Sequence, residues 1–432
     1  MIRIAHFSDL HYGTKNLAEA DTCFDAAIDR AIETGVQAAV LSGDAADHAL
    51  DLHSPAAERL MAQVRRLADH CPVLVLQGTY SHEPPGTLSI FRLLGGRHRI
   101  HVADRIGQVG LTPSGDWLAS DGWRFDALPG GLRALFSCLP TVNKATVAAA
   151  VGANTAAEAV GEHLARLLAG FAPGNRAARA QGVPTIGVSH GTVFGCLSEH
   201  GVPMAGFDHE FTTGTLFSAG AQAFMLGHIH RHQAWEIEGR AGRQCIAYAG
   251  SIGRFHYGEE GDKGFLLWEV DGDGARFTLQ PTPARRTIDI VFEGKPNLGA
   301  LRDAVAQQDI AGAFVRVRWT VAEEDRHEVD RAAIQRLLQS AAQTKLEGRI
   351  VPVVRTRAAG ISRLGSLEDK VRIWAQATQA DPAPLLACLA RLAGAPPDEI
   401  AERVLRFDAA STTAPVAKAF SGVVLDAAGL TA

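Results

Sequence analysis

The sequence predicts an α/β protein: a layered sheet flanked by helices, followed by a second and smaller α/β unit. Two observations predict this. Residues 2–77 read strand, helix, strand, helix, strand, the alternation of a layered sheet. After a linker at 281–286 that contains Pro281 and Pro283, a shorter version of the same alternation recurs. At 432 residues the chain is also long for one domain, and 47% apolar residues are ample for a large core.

The elements follow in order. Residues 2–8 run apolar and form a strand. Residues 17–34 place Leu17, Phe24, Ile28 and Ile32 on one helical face, and Gly35 ends it. Val36–Ser42 is a buried strand leading into Gly43-Asp44. Ser54-Pro55 opens a helix that ends near His70, with serine as cap and proline in the first turn. Val73–Gln77 is the next strand, and residues 87–95 a short helix. Strands are expected at 132–139, 184–189, 244–249 and 264–270, with an Ala-rich helix at 145–170 and a turn at Asp271–Gly274. The smaller unit reads strand 287–292, helix 298–307, strand 314–321, helix 328–342, strand 350–357. Period two in the middle strand puts Arg316 and Arg318 on one face, and Arg355 and Arg357 repeat the arrangement. Residues 285–360 hold 13 Lys/Arg against 10 Asp/Glu, a balance of +3 in a chain whose net charge is −5. The whole is therefore no basic nucleic-acid coat, and phosphate contacts fall to local patches or bound metal. Short helices follow; the one opened by Ser366, with Asp369 three residues on, is a variant capping box.

Six scattered cysteines without a C-x-x-C pair read as reduced thiols of a cytoplasmic protein. The N-terminus lacks the apolar run of roughly 7–15 residues of a secretory signal. No stretch of about 18 apolar residues is available to span a membrane.

Five short motifs carry the chemistry: Asp9-Leu10-His11, Gly43-Asp44, Ser81-His82-Glu83, Ser189-His190-Gly191 and Gly227-His228-Ile229-His230. Each follows an expected strand, and a structural core has no need of so many Asp and His residues at strand ends. A pair of divalent ions about 3.5–4 Å apart does need them, because it requires a shared carboxylate with imidazole and carboxylate ligands on each side. Asp9, His11, Asp44 and His230 are expected around one ion, and Asp44, His190 and His228 around the other. Asp9 and His11, two apart on a strand end, should point the same way. His82 is the expected acid for the leaving oxygen, or a cation that stabilises the transition state. Asp47 reads as a helix cap or as an indirect support of the site. His6 reads either as an orienting partner or as a satisfied core histidine. His48, His53, His98, His101, His200, His209 and His232 read as surface or structural groups.

These motifs resemble the calcineurin-like metallophosphoesterase superfamily. Within it, His6–Gly13, Gly43–Asp47, Tyr248–Ser251, Gly258-Glu259 and Asp262–Gly264 resemble the SbcD-type nuclease subunit of the double-strand-break repair complex. The resemblance covers roughly residues 1–360. It implies a four-layer metallophosphoesterase β-sandwich at 1–280, a DNA-binding capping domain at 285–360, and a C-terminal helical segment at 361–408 that docks an ATPase, with packing on the capping domain as the alternative; the tail at 409–432, rich in Ala, Ser, Thr and Gly, reads as flexible. It further implies two divalent ions, most readily Mn2+, with Mg2+ or another divalent ion as alternatives. Oxygen and imidazole ligands without thiolate fit that preference. The implied activity is a DNA exonuclease and single-strand endonuclease in repair. The implied partners are DNA, a second copy of the chain and an SbcC-type coiled-coil ATPase, with no membrane. Arg316, Arg318, Arg355 and Arg357 are candidate DNA contacts, with solvated strand charges as the alternative. The pattern departs at the third motif, where the family has Gly-Asn-His-Asp or Gly-Asn-His-Glu. Here Gly78 and His82 are separated by Thr79-Tyr80-Ser81, and aligning on His82 puts Ser81 at the asparagine position as a poorer ligand. Two other function classes stay open: a phosphoesterase for small substrates, and a scaffold with a degraded site.

Overall fold

The structure, a computed structural model, describes residues 1–48, 51, 53–142, 153–204, 210–239, 242–352, 360–392 and 396–402. The chain divides into two compact units, Met1–Val351 and Pro352–Ala432.

The first unit is built on a mixed sheet of thirteen strands. In chain order these are β1 (Ile2–Phe7), β2 (Ala38–Leu41), β3 (Val73–Leu76), β4 (Ile100–Ala103), β5 (Gly107–Leu111), β6 (Trp117–Ala119), β7 (Ala134–Leu139) and β8 (Thr185–His190). The short pair β9 (Thr192–Val193) and β10 (Glu210–Phe211) stands apart from the large sheet. Then come β11 (Ala223–Gly227), β12 (Gln233–Gly239), β13 (Gly242–Tyr248), β14 (Gly264–Asp271) and β15 (Gly274–Pro281). The spatial order is β4-β3-β2-β1-β14-β15-β13-β11-β8-β7-β5-β6, with β12 beside β13. Two blocks within it are parallel: β1 to β4, and β13-β11-β8-β7. The antiparallel strands β14 and β15 lie between the blocks.

Apolar packing joins the two blocks. Ile4, Val40 and Leu74 share one buried cluster with Phe136, Val188, Met225 and Trp268. Helices α1 (Leu17–Glu33) and α2 (Pro55–His70) bury Phe24, Ile28, Leu60 and Val64 in a second cluster with Phe7 and Leu41. The Ser54 hydroxyl caps α2 by accepting from Ala57 N at 3.2 Å, as the Ser-Pro pair predicts. Helix α3 (Ala153–Ala180) buries Val160, Leu164 and Leu168 in a third cluster with Phe224 and Leu226. The sequence placed this helix at 145–170, whose first eight residues lie outside those described. It continues ten residues further, through Pro173. Packing holds the extension despite the hydrogen bond that proline removes: Ala178 is fully buried against Leu135, and Asn175 donates to Ala219 O at 2.8 Å.

A three-stranded parallel sheet closes the first unit: β16 (Thr287–Glu293), β17 (Phe314–Ala322) and β18 (Gln343–Val351), in the order listed. It packs on α5 (Leu298–Gln308) and α6 (Arg331–Leu337), preceded in the chain by the short α4 (Thr213–Ser218), around Val315, Val317, Trp319 and Leu301. The last strand corrects the expectation of 350–357. It begins at Gln343 and pairs along the whole length of β17. Its side chains are mostly exposed, so no apolar alternation announces it. The helix before it is correspondingly shorter than 328–342. Arg355 and Arg357 lie outside the described residues.

The second unit contains α7 (Leu367–Thr378) and α8 (Ala383–Leu392) among its described residues. Ser366 caps α7 by accepting from Asp369 N at 3.0 Å. The tail expected at 409–432 lies outside the described residues. No described helix is long and apolar enough to cross a membrane.

Candidate metal centre

Every candidate ligand emerges from the carboxyl end of a parallel strand, where the loops of α/β sheets build their sites. Beyond β1 and β2 the chain stays paired without remaining strand. Asp9 N donates to Gly43 O at 3.1 Å, His11 N to Asp44 O at 3.0 Å, and Tyr12 N to Ala45 O at 3.0 Å. Asp9, His11 and Asp44 have φ of 50°, 46° and 52°, and His228 has φ of 98°. These four are among seven non-glycine residues with positive φ in the described chain. Strain of this kind costs about 1–3 kcal/mol per residue and gathers where side chains must be aimed. Asp9 and His11 therefore do not share a face through strand pleating, as the sequence suggested. The strand stops at Phe7, and left-handed turns aim both inward around the buried Leu10.

Two overlapping groups result. Asp9, His11 and His230 bring ligand atoms within 4.8 Å of one another, and so do Asp44, His190 and His228. Asp44 also forms such a group with His11 and His82, so it faces both sides. Asp9 and Asp44 are almost completely buried. Asp9 accepts from Ser8 Oγ at 2.5 Å and from His228 N at 3.1 Å. His190 Nδ1 donates to Ser42 O at 2.8 Å, and its Nε2 stands 3.2 Å from Asp44 Oδ2. His6 is a buried partner one step behind: its Nε2 lies 2.8 Å from the hydroxyl of the same Ser42. Burial holds the His6 imidazole neutral, with a pKa of about 3.

The electrostatics of the two aspartates diverge. Burial pushes the Asp9 carboxyl up. Burial would also raise Asp44, but the adjacent His190 outweighs it and holds the carboxylate ionised. In turn burial alone would depress His190, and Asp44 lifts it to about 9. Burial lowers His228 to about 4 and drives His230 well down.

The arrangement fits divalent cations. His11 Nε2 and His230 Nε2 face each other at 2.9 Å, with Asp9 Oδ1 at 4.0 Å from the former. Convergent ring nitrogens and buried carboxylates, most of them at the carboxyl ends of strands, are costly without a charge to share. The outer nitrogens His11 Nδ1, His82 Nδ1 and His230 Nδ1 are buried without a hydrogen-bond partner.

The third motif differs from its expected form. Ser81 is exposed. The hydroxyl that reaches the centre is Thr79 Oγ1, 3.1 Å from both Asp44 Oδ2 and His190 Nε2, while Thr79 N donates to Asp44 Oδ1 at 2.7 Å. Ser81 is thus corrected to Thr79: the extra residues lie after the ligand position, not before it. Sequence reasoning could have found this by counting forward from Gly78, where an added Cβ would sit 2.3 Å from Asp44 N. The neighbouring Glu83 accepts from Gly78 N at 2.6 Å and Ala45 N at 2.7 Å, and so braces two motif loops together. His82 stands at the rim, half-buried, its ring 4.9 Å from that of His11. Two further residues had no role in the centre in the sequence reading: His48, read as surface or structural, whose ring lies 5.4 Å from that of His82, and Lys263, noted only in a resembling stretch, which holds the His230 loop from behind.

The arginines of the small sheet are engaged. Arg316 donates to Asp289 Oδ2 at 2.8 Å and to Tyr257 O at 3.3 Å, and only 18% of its side chain is exposed. Arg318, more exposed, donates to Asp289 Oδ1 at 3.1 Å. Both of these candidate DNA contacts pair with one aspartate on β16, Asp289.

No protein-family model matches the chain. Over 108 residues it is 32% identical to an uncharacterized metallophosphoesterase, YhaO, of Bacillus subtilis. That stretch is 25% of this chain and 23% of the relative, so the chain spans about a quarter of the length of the curated relative it matches. Among solved structures it is similar to a dimetal phosphatase from Danio rerio, with 12% identity, TM-score 0.39, 64% of this chain and 98% of that one. It is also similar to a purple acid phosphatase, PPD1, from yellow lupin seeds, with 12% identity, TM-score 0.33, and 64% and 51% of the two chains. The curated similarity supports the metallophosphoesterase class over the matched stretch.

Proposed function

We propose that this protein is a two-metal hydrolase of phosphate esters that acts on the phosphodiester bonds of DNA. One observation carries the hydrolytic part: Asp44 lies between two groups of imidazole and carboxylate ligands, one reached through His11 and the other through His190. Two divalent ions held there would neutralise phosphoryl oxygens and acidify water. The chain's own residues do the rest. Ser42 fixes the tautomer of His190, Ser8 and the His228 amide orient Asp9, and Thr79 orients Asp44. His82, open to solvent at the rim, gives a proton to the leaving oxygen.

The nuclease reading draws on the resemblance of the first 360 residues and on the small sheet attached to the hydrolase sheet. It brings with it a homodimer, manganese and a coiled-coil ATPase partner. A second reading, hydrolysis of small phosphate esters, is favoured by the pairing of Arg316 and Arg318 with Asp289, which offsets one of their two positive charges and ties both side chains to the protein.

A manganese-supplemented assay on linear duplex DNA, circular single-stranded DNA and bis-nitrophenyl phosphate separates the two. The nuclease reading expects cleavage of DNA, lost in His82→Ala while the two ions around Asp44 are kept. Cleavage of bis-nitrophenyl phosphate alone would move the function to small substrates.

A further inference from the structure

The rim of the centre carries a group that the two-ion assignment leaves unused. Asp47, His48 and His82 each offer a ligand atom within 4.8 Å of the other two. Asp47 Oδ1 stands 3.6 Å from His82 Nδ1 and 3.6 Å from His48 Nδ1. A third imidazole nitrogen, His11 Nδ1, lies 3.7 Å from the same oxygen. None of these separations is a hydrogen bond. They match instead the spacing between neighbouring ligands of one ion: bonds of about 2.0–2.2 Å in a tetrahedron put donor atoms roughly 3.3–3.6 Å apart. His82 Nδ1 and His11 Nδ1 are buried and without a hydrogen-bond partner, and the His11 side chain is only 6% exposed.

We propose that Asp47, His48 and His82 form a third divalent-cation site, outside the inner pair, for a transition ion that accepts imidazole. One carboxylate and two imidazoles make a three-ligand set, and the 75% exposure of His48 leaves its outer side open to water or a substrate oxygen. A carbon-linked acid–imidazole set of this kind suits zinc or manganese better than magnesium. Ligation through Nδ1 leaves the His82 N–H on Nε2, so with this site filled the ring would stabilise the leaving oxygen by a hydrogen bond rather than hand over its proton. The site thereby joins the reacting group at the rim to a positive charge next to it. This proposal rests on the two-ion reading for its place but not for its ligands, because none of its three residues belongs to the inner pair.

The test is metal content per chain of the full-length protein, saturated with manganese or separately with zinc, passed through gel filtration and measured by elemental analysis. Three ions in the wild type, two in His48→Ala and one in Asp44→Ala are expected. His48→Asp, which keeps a ligand at the position, should restore the third. His48 is exposed, so His48→Ala should melt at the wild-type temperature in the presence of a chelator. Equal content in wild type and His48→Ala overturns the outer site and leaves the inner pair standing. A wild type that holds no ion overturns both.

Discussion

Thr79 shows how a single residue can be hidden by the way a motif is aligned. Aligned on His82, the third motif gives the ligand position to Ser81; followed along the backbone from Gly78, it gives it to Thr79. The anchor is Gly78, whose amide is held by Glu83 and whose missing side chain makes room for Asp44. Thr79→Val keeps the shape and removes the hydroxyl. It should weaken the ion on the His190 side roughly tenfold, about 1.4 kcal/mol, as measured by calorimetric titration with manganese. Ser81→Ala should leave both affinities unchanged. The opposite ranking would return the role to Ser81. The other ligands were legible because Asp and His are rare in such number after apolar strands. His48 was not, because an exposed histidine beside an aspartate carries no pattern; only the fold brings His82 against it.

At the scale of elements, strand ends explain both what the sequence revealed and what it concealed. Apolar runs located β1, β2, β3, β8 and β11, so the places of the ligands could be read. Their aim could not, since left-handed turns leave no trace in hydrophobic periodicity. The loop at 251–263 was equally opaque, although it supports the centre. Lys263, 1% exposed, donates to His230 O at 2.8 Å and to Ser251 Oγ at 2.9 Å, and pairs with buried Glu259 at 2.5 Å. The Glu259 carboxylate also accepts from Phe255 N at 2.8 Å. The pair clamps the loop that carries His230. Breaking a buried pair leaves one charge uncompensated and costs about 3–5 kcal/mol. Lys263→Met should therefore lower the melting temperature, and Lys263→Met with Glu259→Leu should recover much of it. In the double variant the ion beside His230 should bind more weakly and the ion beside His190 as before. Equal weakening of both, followed by site-resolved titration, would reduce Lys263 to a general packing role.

For the whole molecule, the alternation of strands and helices predicted an α/β chain with a small α/β sheet near its C-terminal end, and the structure has both. The boundaries were less legible. The edge strand β18 lacks apolar alternation, and α3 runs through a proline that local rules would treat as an end. The charge excess of 285–360 suggested a basic surface, but two of its arginines are tied to one partner, Asp289. Sequence counts residues of each sign; only packing decides which of them face solvent unpaired.

The account depends on a shared carboxylate holding two cations between loops that are far apart in the chain. Anomalous diffraction from crystals loaded with manganese measures this directly. It should show two peaks flanking the Asp44 carboxylate, one among Asp9, His11 and His230 and one among His190 and His228, about 3.5–4 Å apart. A single peak beside Asp44, or none there, would contradict it.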